Sequence, residues 1–448
     1  MKSLLALTTI LSLSAGLVAQ TQTHVWIDAM RGNDNNAGTK ANPFKTLTKG
    51  LLANPTNAVV HVMPGIYGPK TTGDFWDATA KKSKVIQLNN HVNYRIVGEN
   101  RALCILDFNG MNDQFWAFLQ IRGSGTKGVE VSNLTFRNIG TGGQWACGPL
   151  HVHGGNDQDV NIHSNIFIDT NSTFICWSGT NVAFHDNLIL STTRGKGVAV
   201  RVRTNGKSGD LTYVYNNVFY NTAHGISYSK SAKQWICNNI VLKATIGFPG
   251  TKPPASVTLK NNIAFQCATN FAYTPDSSNL TVDPKLVDPA KGDFRQKPGS
   301  PCFEGGYRFG LLHMVNDFFG NARASDGDGN GTARPDIGIQ ELVDVTMDVI
   351  RFGQGKRAIF TLRKTTSYIG PAAFFFAWGK GSLVLDPFGS FGLDLGKILF
   401  VAPTSIPGAV TLPLPVSTSL NGFPLYAQAA GVRPGPRFKP TGRLDLHL

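Results

Sequence analysis

Charge is scarce in this chain: Asp, Glu, Lys and Arg make up only 16% of its 448 residues. That figure, beside 49 glycines, argues against long solvated helices and suits strands and turns. Long apolar runs are also lacking. One short run opens the chain, and no second is long enough to cross a bilayer. Cysteines are few and widely spaced (Cys104, Cys147, Cys176, Cys237, Cys267 and Cys302), without the close pairs of a metal site. No Lys/Arg-rich arm and no nucleic-acid motif is present, which sets nucleic acid aside as a partner. The basic residues nevertheless exceed the acidic ones, giving a net charge of +14, and a basic surface attracts polyanions.

What is present is a beat. The pattern Asn, aliphatic, any residue, apolar begins at Asn133, Asn165, Asn187, Asn217, Asn239 and Asn262, at spacings of 32, 22, 30, 22 and 23 residues. A fixed period in this range marks stacked units. Each unit holds short β-rich runs, such as 160–168, 182–190 and 213–220, punctuated by Gly, Asn, Ser and Thr. No unit buries its apolar residues alone. Stacking at about 4.8 Å closes a continuous core. The recurring Asn fits a turn that tolerates left-handed backbone, with an amide able to bond the next Asn in the stack.

The opening segment reads His24-Val-Trp-Ile-Asp, Gly32-Asn-Asp-Asn-Asn-Ala-Gly38, Asn42-Pro-Phe-Lys-Thr-Leu47 and Val59-Val-His-Val-Met-Pro-Gly-Ile-Tyr-Gly68. The closing segment reads Asp283-Pro-Lys-Leu-Val-Asp-Pro, Pro298-Gly-Ser-Pro301 and Asp336-Ile-Gly-Ile-Gln-Glu341. Together they resemble the secreted right-handed parallel β-helix proteins of the pectin-lyase-like superfamily. The resemblance covers about residues 24–341 and implies a single-stranded right-handed parallel β-helix. After Glu341, about seven short runs separated by Gly and Pro suggest a small antiparallel β-sandwich, so the chain is read as all-β. The resemblance is weak for chemistry, because this fold hosts lyases, hydrolases, epimerases and binders.

Residues 1–19 read as a secretory signal peptide, with Lys2 before an apolar stretch and Ala19 before Gln20. Residues 20–341 then form the β-helix with its N-terminal cap, and 342–448 the C-terminal β-sandwich. That last stretch resembles a module on exported proteins of planctomycete-like bacteria. The expected location is secreted or cell-surface, without a transmembrane segment, and the expected state is a monomer. At the junction, Asp326-Gly-Asp-Gly-Asn-Gly331 mimics the first half of a calcium loop, but its twelfth position is Ile337, where a bidentate Glu belongs.

Aligning the coils on their Asn reveals a further strand in each: Leu150-His-Val-His153, Phe174-Ile-Cys-Trp177, Val200-Arg-Val-Arg203 and Ile226-Ser-Tyr-Ser229. Strand side chains alternate. With Leu150, Val152, Val200 and Val202 inward, His151, His153, Arg201 and Arg203 point outward, with Trp177 on the coil between and Lys230 at the next strand's end. The two enlarged coils place their loops around this patch. Arg pairs suit carboxylates and an exposed Trp suits a sugar ring, so the expected partner is an acidic polysaccharide.

Abstraction of a proton alpha to a uronate carboxylate needs a neutralising cation, a base and an acid. Arg201 or Arg203 fits the first role, and His151, His153 or Lys196 the base. His224 is a further substrate-binding candidate. In β-helix lyases the resemblance implies a Lys or Arg base, often with calcium. This chain lacks the dense Asp cluster of the calcium-dependent pectate lyases and the paired-Asp and Gly-His-Gly signatures of polygalacturonase-like hydrolases. Asp157 and Asp159 are the candidate calcium ligands. The reading is therefore a polysaccharide-lyase-like protein, with a non-catalytic carbohydrate-binding or cell-surface protein as the alternative.

Overall fold

The computed structural model describes residues 22–341 apart from 54–55, 78, 80–81, 112–116, 124, 140–147, 154–157, 203–208, 230–232, 298, 309–315, 322 and 324–333, and beyond 344 the strands alone. Three parallel sheets of nine, eight and eight strands run side by side. Each coil gives one strand to each sheet. One coil supplies Val160–His163, Ile166–Ile168 and Phe174–Cys176; the next supplies Val182–His185, Leu188–Leu190 and Lys196–Val202. In the third sheet the register aligns Leu150, Phe174, Val200 and Ile226, the same four residues that the sequence pattern superimposes. The molecule is a parallel β-helix.

The core is a stack of apolar residues repeated coil after coil. Phe136 lies on Phe167 with ring centres 4.9 Å apart, and Phe174 on Phe184 at 4.8 Å, all four fully buried. Burial of each such side chain stabilises by roughly 1.5–3 kcal/mol. No disulfide is needed. Cys104, Cys176, Cys237 and Cys302 are buried and unpaired, and Cys267 is partly buried and also unpaired. Burial pushes the Cys176 thiol up to about 12, so it stays protonated.

Two adjacent columns at the corner between the first and second sheets divide the work expected of one asparagine. Asn165, Asn187, Asn217, Asn239, Asn262 and Asn279 form the buried amide ladder. Each side-chain Nδ2 donates to the next Oδ1, at 3.2 Å for Asn165–Asn187 and 2.9 Å for Asn217–Asn239. The same oxygen also accepts the preceding coil's backbone N–H, as from Asn187 to Asn217 at 3.0 Å. The left-handed residue is the one before: Ser164, Asp186, Asn216, Asn238 and Asn261 have φ between 51° and 59°. Asn133, with φ 57°, belongs to this second column. Thr135 pairs with Ile166, so Leu134 is the residue opposite Asn165, and its N–H bonds the Asn165 amide at 3.0 Å. The expected placement of Asn133 in the ladder is therefore off by one, and the ladder extends instead to Asn279.

After the last coil the chain folds back. Leu286, Phe294, Cys302, Phe318, Ile337 and Ile339 pack on Leu188, Val218, Ile240 and Ile263, covering the outer face of the second sheet. Gly338 makes this approach possible: its φ is 93°, and a Cβ there would lie 2.6 Å from Ile240. A buried guanidinium pins the segment. Arg323 bonds Asp186 of the left-handed column, the Gly338 carbonyl at 2.8 Å and Glu341 at 3.5 Å. Arg101 stacks over Phe318 at 3.8 Å. Beyond 344 the described strands pair antiparallel, with Gly370–Ala377 between Ile398–Ile406 and Pro424–Arg433. The calcium-like loop 326–331 lies outside the described residues.

Two outcomes follow for stability. Replacing Asn217 by Leu strands several buried partners and lowers unfolding free energy by about 2–4 kcal/mol, read from the denaturant midpoint. Replacing Arg323 by Ala leaves buried carboxylates uncompensated and costs about 3–5 kcal/mol. An unchanged midpoint in either variant contradicts its assigned role.

Candidate functional site

The outer face of the third sheet is built by alternation. Leu150, Val152, Val200 and Val202 point into the core at 0–1% exposure. The residues between them face outward in two columns. In one, Gln87, Gln120, His151, Ile175, Arg201 and Ser227 follow one another across the strands. In the other, Asn89, Arg122 and His153 are in register, and Trp177 follows Cys176, the partner of Val152. Gln87 donates to Gln120 at 3.2 Å, continuing the polar stripe.

Three rings meet at the centre. His151 and His153 have ring centres 5.3 Å apart, and Trp177 stands 5.9 Å from the first and 5.6 Å from the second. His153 and Trp177 remain partly exposed, but His151 is only 4% exposed. Both were expected to face solvent. His151 is on the outward side of the strand, yet it lies covered there. Burial, with the neighbouring His153 and Arg122 adding repulsion, pushes its imidazole down to about 3. His151 is therefore neutral at physiological pH and a weak base.

Arg201 is partly exposed two strands from His151, with buried Ile175 between them. His224 is partly exposed, and its imidazole is shifted down by burial and by the Arg201 charge, so these two residues act on one another. Lys196 opens the strand Lys196–Val202, its side chain outside the described residues. Arg203, Lys230 and Asp157 also lie outside them, as do most of the loops around the patch. Asp159 precedes a first-sheet strand and accepts a hydrogen bond from Asn181 at 3.0 Å. Among the described residues no group of three or more His, Cys, Asp or Glu is placed to hold a metal ion.

Sequence reasoning missed Arg122, Gln120 and Gln87. Their signal was the same alternation, Gln87-Leu-Asn89 and Gln120-Ile-Arg122, in coils that precede the asparagine beat.

A direct consequence concerns His151. Its ring C2 proton, followed by NMR, stays flat from pH 8 to pH 4, whereas an inflection near 6.5 contradicts the burial described here. Because the folded chain binds this proton less readily than the unfolded chain, the group's contribution to stability declines as pH falls from 6.5 towards about 3.

The chain belongs to the family described as "Protein of unknown function (DUF1565)", whose model matches residues 30–256. No curated protein matches it in sequence. Among solved structures it is similar to a GH136 lacto-N-biosidase from Eubacterium ramulus, at 10% identity and a TM-score of 0.35, covering 54% of this chain and 52% of that one. It is also similar to a rhamnogalacturonan lyase, at 12% identity and a TM-score of 0.33, covering 55% of this chain and 74% of that one. The chain thus spans about half the length of the first of these. No described helix is long and apolar enough to cross a membrane.

Proposed function

We propose that this DUF1565-family β-helix is an exported protein that binds acidic polysaccharide along the outer face of its third sheet. The observation that carries the reading is the composition of that face: Arg122, His153, Trp177 and Arg201, all partly exposed, on neighbouring strands of one rigid sheet, with the partly exposed His224 close enough to feel the Arg201 charge. Guanidinium groups pair with uronate carboxylates in two-point hydrogen bonds, and the indole offers a flat surface to a pyranose ring. The net charge of +14 draws such a chain towards the molecule. In this proposal residues 1–19 are the export signal, 20–341 the helix and 342–448 a separate C-terminal β unit.

The same face suits β-elimination. Arg201 or Arg203 neutralises the carboxylate, and His153 or Lys196 removes the proton alpha to it. The C4–oxygen bond breaks as a C4–C5 double bond forms, and the departing oxygen is protonated. His151, buried and with its basicity suppressed, does not fit the base role. That observation favours a second reading, a non-catalytic carbohydrate-binding or cell-surface protein using the same face.

The test is binding and turnover on pectate, alginate and glycosaminoglycans beside a neutral glucan. Acidic chains bind and the neutral one does not, with affinity falling as salt rises. Replacing Arg201 and Arg203 together by Ala weakens binding by about tenfold or more, the loss of one charged hydrogen-bonded contact. Rising ultraviolet absorbance from an unsaturated product identifies the lyase; binding without it identifies the binder. Equal binding of the glucan, or an unaffected double variant, overturns the proposal.

A further inference from the structure

Buried imidazoles in this protein usually have both nitrogens engaged. His185 bonds Asp186 and Asn161, each at 2.7 Å. His91 bonds the carbonyls of Asn89 at 3.0 Å and Leu51 at 3.2 Å. His151 departs from this rule. It is 4% exposed, and neither ring nitrogen has a hydrogen-bond partner among the described residues. A buried polar group left so costs about 1–3 kcal/mol. Its unused lone pair sits beside a second imidazole. His151 and His153 are alternate residues of one strand, so they share a face, and their ring centres converge to 5.3 Å with planes at 62°. Two imidazoles sharing one ion through bonds of about 2.0–2.1 Å place their ring centres roughly 5–6 Å apart.

We propose that His151 and His153 form a binding site for a transition-metal ion of the imidazole-seeking class, zinc(II), copper(II) or nickel(II). The donor set fixes the class. It offers nitrogen, whereas calcium and magnesium require oxygen. Arg122, in register with His153 on the neighbouring strand, opposes a hard cation held by charge alone. It also supplies a positive partner for an anionic ligand taken into the ion's remaining positions. The inference is independent of the polysaccharide reading, since metal binding is measured without sugar.

Untagged, chelator-treated full-length protein is titrated with zinc chloride by calorimetry, and in parallel with nickel chloride while tryptophan emission is followed. Trp177 is the reporter, its ring 5.6–5.9 Å from both imidazoles. The expected result is one saturable site whose affinity falls by more than about tenfold in His151→Gln and in His153→Gln, at least the loss seen when a metal ligand's supporting partner is removed. The emission change disappears in Trp177→Phe, which keeps both imidazoles. His24→Gln serves as the control, because His24 and His61 form another close pair, 2.8 Å between nitrogens. Its affinity is unchanged if the site is at His151. Wild-type affinity in both His151 and His153 variants, binding that vanishes with His24→Gln, or an undiminished emission change in Trp177→Phe each overturns the proposal. Should the Gln variants lose their circular-dichroism signature, the Trp177→Phe comparison decides alone.

Discussion

The hydrogen bond from one coil's asparagine amide to the next is the constraint on which the molecule depends. Each bond is buried, and the amides also hold backbone groups, as Asn217 does by donating to the Phe184 carbonyl of the preceding coil and the Tyr215 carbonyl of its own. A coil cannot advance or slip by one residue without leaving these groups unpaired in an apolar interior. Strand alternation converts that fixed register into a fixed assignment of inside and outside. The chemistry of the third sheet therefore inherits its order from a ladder at a different corner of the coil.

The faces of the helix have been given different tasks. The second sheet is covered by the returning chain, through apolar packing and the Arg323 ion cluster. On the first sheet, His163, His185 and Tyr215 stack one upon another at 5.0 and 4.6 Å, engaged with Glu130 and Asp186. The third sheet carries partly exposed cationic and aromatic side chains instead. A scaffold of parallel strands keeps those groups at fixed separations, and binding loses little to ordering them.

Much of this was readable from the sequence because repetition is a strong signal. The period gives coil length, and alignment of the coils on their asparagines puts Leu150, Phe174, Val200 and Ile226 in the one row they occupy in the third sheet. Two things were harder. Asn133 looks like a ladder residue because asparagine serves both the amide column and the left-handed column beside it, and composition does not separate the two roles. Arg122 escaped because its coil has no ladder asparagine to align on; Thr135 pairs with Ile105, so the position in line with Leu134 and Asn165 there is Cys104. The concealment of His151 depends on rings from its own strand and the next, a property of packing that no local pattern encodes.

The thiols carry a last implication. Every described cysteine stands alone; Cys104 and Cys176 are sealed inside the coil stack, and Cys237 and Cys302 are buried in the apolar clusters outside it. Nothing among them is paired, so the described coils are held by hydrogen bonds, apolar contact and buried ion pairs and not by disulfides. The described coils therefore need no thiol oxidation to close, and reducing agents leave that part of the architecture intact.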